Sequence, residues 1–137
     1  GLEGFRRRIR RHLEMAQTLA GWVDANPDFE RLAPVSFSVV CLRYRPRDLA
    51  GRDDQPEVAA RLDDVNARLL DAVNATGKVF LSHTRLAGRF AIRVALGHIR
   101  AEDRHVALAW ELLRREAAAL GSAGPGGPDI AEDDRGT

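Results

Sequence analysis

Lysine is nearly missing from this sequence. Lys78 stands alone against twenty arginines, so any chemistry that needs a lysine amine has a single candidate. Cysteine is as scarce: Cys41 is the only one, which excludes an internal disulfide and leaves no cysteine cluster for a metal. Its setting in the apolar run "FSVVCL" reads as core, and a reducing cytoplasm is the expected compartment. No apolar stretch approaches the roughly 20 residues that span a bilayer. The five arginines near the amino terminus are not followed by the apolar segment of a secretory signal. With a formal net charge of +1, the overall balance calls for neither nucleic acid nor an anionic membrane. A glycine-rich phosphate loop ahead of a helix is also missing, because "GSAGPGG" leads into acidic residues that would repel phosphate and so reads as linker.

What is present suits one domain: 137 residues, 45% apolar and 30% charged, an ordinary globular balance. Apolar residues at Leu2, Phe5, Ile9, Leu13, Ala16, Leu19 and Val23 form one helical stripe over residues 2 to 25. Arg6, Arg7, Arg8, Arg10 and Arg11 crowd its first turns, as a solvated face or toward carboxylates of a partner. Pro27 ends this helix. "SFSVVCLRYRP" is apolar on both faces and reads as a buried strand stopped before Pro46, with Arg43 at its exposed end. Residues 45 to 56 are rich in charge, Gly and Pro and read as a mobile, weakly ordered loop. Val58, Leu62, Val65, Leu69 and Val73 mark a second helix, which Gly77 can end in the left-handed conformation. "KVFLSHT" and "GRFAIRVAL", separated by "RLAG", read as a hairpin with Gly88 at the turn. Val106, Ala109, Trp110, Leu113, Ala117 and Leu120 mark a third helix over residues 101 to 120. The tail, residues 121 to 137, is expected to be disordered.

The element order is helix, strand, helix, two strands, helix. The fold class that follows is α+β: a short antiparallel sheet covered on one face by helices. Three helices hardly cover both faces, so Ala91, Ala95 and part of the first strand should meet solvent.

Within "GRFAIRVALGH", alternation sends Phe90, Ile92, Val94 and Leu96 to one face and Ala91, Arg93 and Ala95 to the other. A guanidinium between two small neighbours needs water or a carboxylate. The histidines His12, His83, His98 and His105 form no spaced metal pair. Each reads as structural or solvated, with His83, between Ser82 and Thr84, the best placed for chemistry.

"PDFERLAPVSFSVVCLRYRP" followed by "VNARLLDAVNATGKVFLSHTRLAGRFAIRVALGHIRAEDRHVALAWELL" resembles the carboxy-terminal small domain of the pyridoxal phosphate-dependent group II decarboxylases. That family includes the aromatic L-amino acid, tyrosine, tryptophan, histidine and glutamate decarboxylases. "GLEGFRRRIRRHLEMAQTLAGWV" is similar to the helix by which such chains leave their large domain. The resemblance spans about residues 1 to 120. It implies the small domain of a fold-type I enzyme: residues 1 to 26 as a linking helix from a missing large domain, 27 to 120 as the small domain, and 121 to 137 as the tail. In this family the cofactor is held by a lysine of the large domain in a His-Lys motif. This chain has no His-Lys dipeptide, and Lys78 follows Gly77.

One residue carries over. The family's motif like "F-x-(I/L)-R-x-A" on the last strand places an arginine at the active-site cleft, where it is implicated in holding a carboxylate, and Arg93 occupies that position. The resemblance thus implies a fragment of a pyridoxal phosphate-dependent amino-acid decarboxylase of the aromatic or glutamate type. Its partners would be an amino-acid substrate, the missing large domain and a second copy in a homodimer. No catalytic, cofactor-binding or metal-ligating residue is expected in the chain itself, which should be inactive alone. The rival reading is a non-catalytic binding or assembly module built on the same domain. A nucleic-acid binder is a weak third, since neither aromatic stacking platforms nor a recognition motif accompanies the arginines.

Overall fold

Apolar periodicity of 3.6 builds three helices here, and a period of 2 builds the sheet they cover. The computed structural model describes residues 1–97 and 102–123, with the side chains of 122 and 123 left aside. Helix α1 spans Leu2–Ala25, strands β1 and β2 span Phe29–Arg31 and Val39–Tyr44, and a 3-10 turn occupies Arg47–Leu49. Helix α2 runs over Pro56–Ala75, strands β3 and β4 over Ser82–Leu86 and Arg89–Ala95, and helix α3 over Asp103–Ala123. The four strands lie in the order β1-β2-β4-β3, antiparallel at every pairing. The expected α+β architecture is therefore present, with β4 inserted between β2 and β3.

The alternation of β4 holds. Phe90, Ile92, Val94 and Leu96 are buried against the helices with Val40, Leu42 and Tyr44 of β2. Helix α1 supplies Met15, Ala16, Leu19 and Val23 to this core, and α3 supplies Val106, Trp110, Leu112, Leu113 and Ala117. The amino-terminal half of the α1 stripe has no such cover: Phe5 is 52% exposed, and Leu2, Ile9 and Leu13 are also open to solvent. At this end Arg11 meets Asp103 of α3 at 3.0 Å, a solvent-exposed pair worth well under about 1 kcal/mol.

Local chemistry explains the ends of the elements. Asn26 leaves helical geometry ahead of Pro27, and its Oδ1 accepts the Asp28 N–H at 2.9 Å, the local turn that asparagine favours. Gly77 ends α2 at φ 72°, and the β3–β4 hairpin turns at Ala87 and Gly88 with φ 52° and 78°. Two successive positive φ values match the right-handed twist of the flanking strands.

Several expectations are corrected. Strand β1 was not foreseen, being only three residues long. The hairpin's first strand begins at Ser82 and runs through Leu86, because "KVF" lies ahead of the pairing and Phe80 faces solvent. The 45–56 segment is ordered where Leu49 packs into a small cluster with Val58 and Leu62. Ala91 is fully buried although it lies on the face opposite the helices. Helix α3 continues to Ala123, three residues past its expected end, while residues 124–137, the remainder of the tail, lie outside the described residues.

Three polar side chains of α2 bind main-chain groups of the sheet or of the residue just before β3. Asn66, fully buried, accepts the Tyr44 N–H at 2.7 Å and donates to the Tyr44 and Leu62 carbonyls at 2.8 and 2.9 Å. Asp63 accepts the Phe90 N–H at 3.0 Å. Asn74 accepts the Leu81 N–H at 2.8 Å and donates to its carbonyl at 2.9 Å. The paired register of β2 and β4 ends at Leu42↔Ile92. Two residues further on, Asn66 and Asp63 take the main-chain groups of Tyr44 and Phe90 that the ladder no longer satisfies. We expect Asn66→Leu to orphan buried donors and acceptors and to lower the unfolding free energy by about 2–4 kcal/mol. Urea denaturation followed by far-UV circular dichroism measures this; a loss below about 0.5 kcal/mol would show the pairing to be dispensable.

Candidate functional site

The sheet has a second face, turned away from the helices. Because Cys41 pairs with Arg93 and Arg93 with Ser82, these three side chains share that face, as do Glu30 and Arg43 two positions along. The alanines on either side of Arg93 keep the surface beside it low.

Arg43 is the feature sequence reading placed wrongly. It is 2% exposed, not at an open strand end. Its Nε donates to Glu30 at 2.6 Å and its Nη2 to Asp53 at 3.1 Å. Glu30 sits on the unforeseen β1, directly across from Arg43 in register, and Asp53 comes from the 45–56 segment. The guanidinium is thus enclosed by two carboxylates, the condition under which an arginine can be buried. A hydrogen bond that the Asp53 carboxylate accepts from its own backbone N–H, and then Arg43, hold this carboxyl below the usual carboxylate range despite some desolvation. A carboxylate depressed in the folded state contributes stability above its ordinary titration range, and that contribution is lost as pH falls through the lowered value. Arg45 approaches Glu30 at 3.6 Å, with its own Nε buried and unpartnered among the described residues.

Arg93 differs in every respect. Its side chain is exposed, and among the described residues it has no carboxylate or carbonyl partner. Cys41, expected in the core, is only half-buried beside it. Strand β2 is apolar on both faces, but the helices cover only one, and Cys41 lies on the other. Burial pushes the Cys41 thiol up, and the neighbouring Arg93 charge partly offsets this. The site is a cation over small residues and a protonated thiol: a place to hold an anion, with no acid–base pair.

The other candidates lie elsewhere. His83 stacks on Phe90 at 4.9 Å on the helix-covered side, separate from Arg93. His12 is buried within α1. His105 accepts the Glu102 N–H through Nδ1 at 3.2 Å, at the start of α3. His98 lies outside the described residues. Lys78 is exposed after α2, with its main-chain N–H donating to Thr76 Oγ1 at 3.2 Å.

No protein-family model matches the chain. Among curated proteins it is 38% identical over 120 residues to tyrosine decarboxylase 4 of Petroselinum crispum, covering 88% of this chain and 23% of that protein. It is 35% identical to the phenylacetaldehyde synthase of a Rosa hybrid cultivar, again over 88% of this chain and 23% of the relative. Among solved structures, Oryza sativa TDC with PLP and tryptamine superposes with a TM-score of 0.76 at 32% identity, over 88% of this chain and 24% of that one. The chain therefore spans about a quarter of the length of the relatives it matches.

Cys41 reports on Arg93. We expect iodoacetamide at pH 8 to alkylate Cys41 more slowly in the folded chain than in urea, since the reactive thiolate is scarce. Arg93→Gln should slow it further by removing the charge that lowers the thiol's pKa. Faster alkylation in that variant would mean that Arg93 shields the sulfur sterically and does not stabilise the thiolate.

Proposed function

The chain is homologous to the carboxy-terminal small domain of the pyridoxal phosphate-dependent group II decarboxylases, and from that premise we propose that it is the corresponding part of an aromatic amino-acid decarboxylase, a carboxy-lyase. The observation that carries this reading is similarity to a tyrosine decarboxylase through 88% of the chain.

The chain's own residues do not fit the cofactor. Lys78, the single lysine, is exposed on a loop, and the residue before it is glycine, not the histidine of the family's motif. The cofactor and the groups that act on it belong, in this reading, to a large domain outside these residues, and the chain alone neither holds pyridoxal phosphate nor decarboxylates.

The chain's contribution is electrostatic. Arg93 presents a guanidinium from a rigid central strand, unpaired within the described residues, and is assigned to the carboxylate of the amino-acid substrate or product, where a planar two-pronged contact is strongest. Rigidity matters because a positioning contact works only when the scaffold does not follow the ligand. The exposed stripe of α1 and the open sheet face are where the large domain would pack, and the parent enzyme would act as a homodimer. Among the described residues no helix is long and apolar enough to cross a membrane, and the free thiol of Cys41 suits a reducing compartment such as the cytoplasm.

Two outcomes test this. Incubated with pyridoxal phosphate, the isolated chain should show no internal-aldimine absorbance band and no borohydride-fixed adduct; stoichiometric labelling of Lys78 would overturn the division of labour. In the full-length protein read from the upstream frame, Arg93→Ala should lower kcat/KM by roughly ten- to a hundred-fold with little change in Tm, and Arg93→Lys should recover part of it. A lowered Tm with unchanged kinetics would make Arg93 a structural residue, and an upstream frame without a His-Lys motif would favour the non-catalytic module.

A further inference from the structure

The Arg93 face carries a second feature, the phenyl ring of Phe80. It is 77% exposed, although burying an aromatic ring is among the largest apolar gains open to a chain. Its outward position is imposed. Val79 and Leu81 on either side pack against the core, and Asn74 takes both main-chain groups of Leu81. Alternation then turns Phe80 to the opposite face, the one that carries Arg93.

Phe80 stands two residues before Ser82, the cross-strand partner of Arg93. Diagonal positions of this kind lie about 7–8 Å apart, within reach of long side chains. The two side chains do not close on each other: among the described residues the cation–π contact is that of Arg114 over Trp110. Ala95, two positions beyond Arg93 on the Phe80 side, adds only a methyl group to the surface between them. Nor is the charge of Arg93 cancelled nearby. Its cross-strand neighbours are Cys41, a thiol that keeps its proton, and Ser82. Glu30 and Asp53, further along the face, are engaged by Arg43.

An available guanidinium and an open phenyl ring, side by side over small residues, match a molecule that joins a carboxylate to an aromatic ring. We propose that Phe80 is a specificity-determining residue of the substrate cleft: it packs against the aromatic ring of the amino acid whose carboxylate meets Arg93. The assignment rests on the decarboxylase reading above and adds to it the residue that favours aromatic over aliphatic side chains. Arg93 cannot make that choice, because every amino acid offers it the same carboxylate.

The test uses the full-length protein and two monocarboxylate probes, 3-phenylpropanoate and hexanoate, of which only the first has a ring. Calorimetric titration gives each dissociation constant, while decarboxylation of phenylalanine, tyrosine and tryptophan is followed in parallel. Phe80→Ala should weaken 3-phenylpropanoate by roughly five- to thirtyfold and lower its preference over hexanoate by at least about fivefold. Phe80→Tyr should restore that preference. Arg93→Gln should weaken both probes alike and leave the preference unchanged. Phe37, 85% exposed in the Ser36–Val39 turn at the same end of the sheet, supplies the control: Phe37→Ala should alter neither constant. An unchanged preference in Phe80→Ala, in a protein that still decarboxylates, would overturn the role of Phe80 and leave the decarboxylase reading standing. So would a decarboxylating protein that does not bind 3-phenylpropanoate. A lowered Tm with unchanged preference in both Phe80→Ala and Phe37→Ala would make the two rings a docking patch for the large domain instead. Decarboxylation of none of the three amino acids would overturn the parent reading and this inference with it.

Discussion

The pairing of the Asn66 carboxamide with both main-chain groups of Tyr44 is the contact on which this architecture rests. It replaces a strand neighbour at the point where β2 and β4 separate, and Asp63 does the same for Phe90 one helical turn away. Two such contacts fix both the height and the rotation of α2 over the sheet. The apolar residues Leu69, Leu70 and Val73 follow into the core from that placement. Because α2 can then cover only one face, the other is covered by the chain's own Glu30 and Asp53 at Arg43 and is open to solvent at Arg93.

Those two arginines on one sheet face obey a single electrostatic rule with opposite results. Arg43 is surrounded by Glu30 and Asp53 and is buried; Arg93 has small neighbours and remains in solvent. A buried guanidinium with satisfied hydrogen bonds is a structural fixture, since loss of either carboxylate would leave a costly unpaired charge. An exposed one, held on a central strand between alanines, keeps its charge available to a ligand or an apposed domain. Position on the strand, not residue type, separates the two.

Much of the fold was legible in the sequence where periodicity is strong. The α1 and α3 stripes, the left-handed Gly77 and Gly88, and the inward set Phe90, Ile92, Val94 and Leu96 all follow from local pattern. Arg43 was misplaced because its burial depends on two partners that carry weak local signals: Glu30 on a strand of three residues, and Asp53 in a stretch whose Gly, Pro and charge content mimics disorder. Asn66 was passed over for a related reason, since a lone polar residue within an apolar stripe shows nothing of the main-chain groups it will meet. The outward direction of Arg93 was readable from alternation, but its assignment to a carboxylate came from family resemblance.

The place of β4 between β2 and β3 has a consequence for synthesis of the chain. The strand that completes the sheet is made last, about 45 residues after β2 ends. At translation rates of roughly 5–20 residues per second, the inner edge of β2 remains unpaired for a few seconds while α2 and β3 emerge. Val40 and Leu42 lie on that edge strand, and an open apolar edge is a template for pairing with another chain. The β3–β4 hairpin, closed by the local turn at Ala87 and Gly88, can form by itself in microseconds, so it would dock as a finished ribbon. The hazardous interval is therefore set by the ribosome and not by the folding reaction.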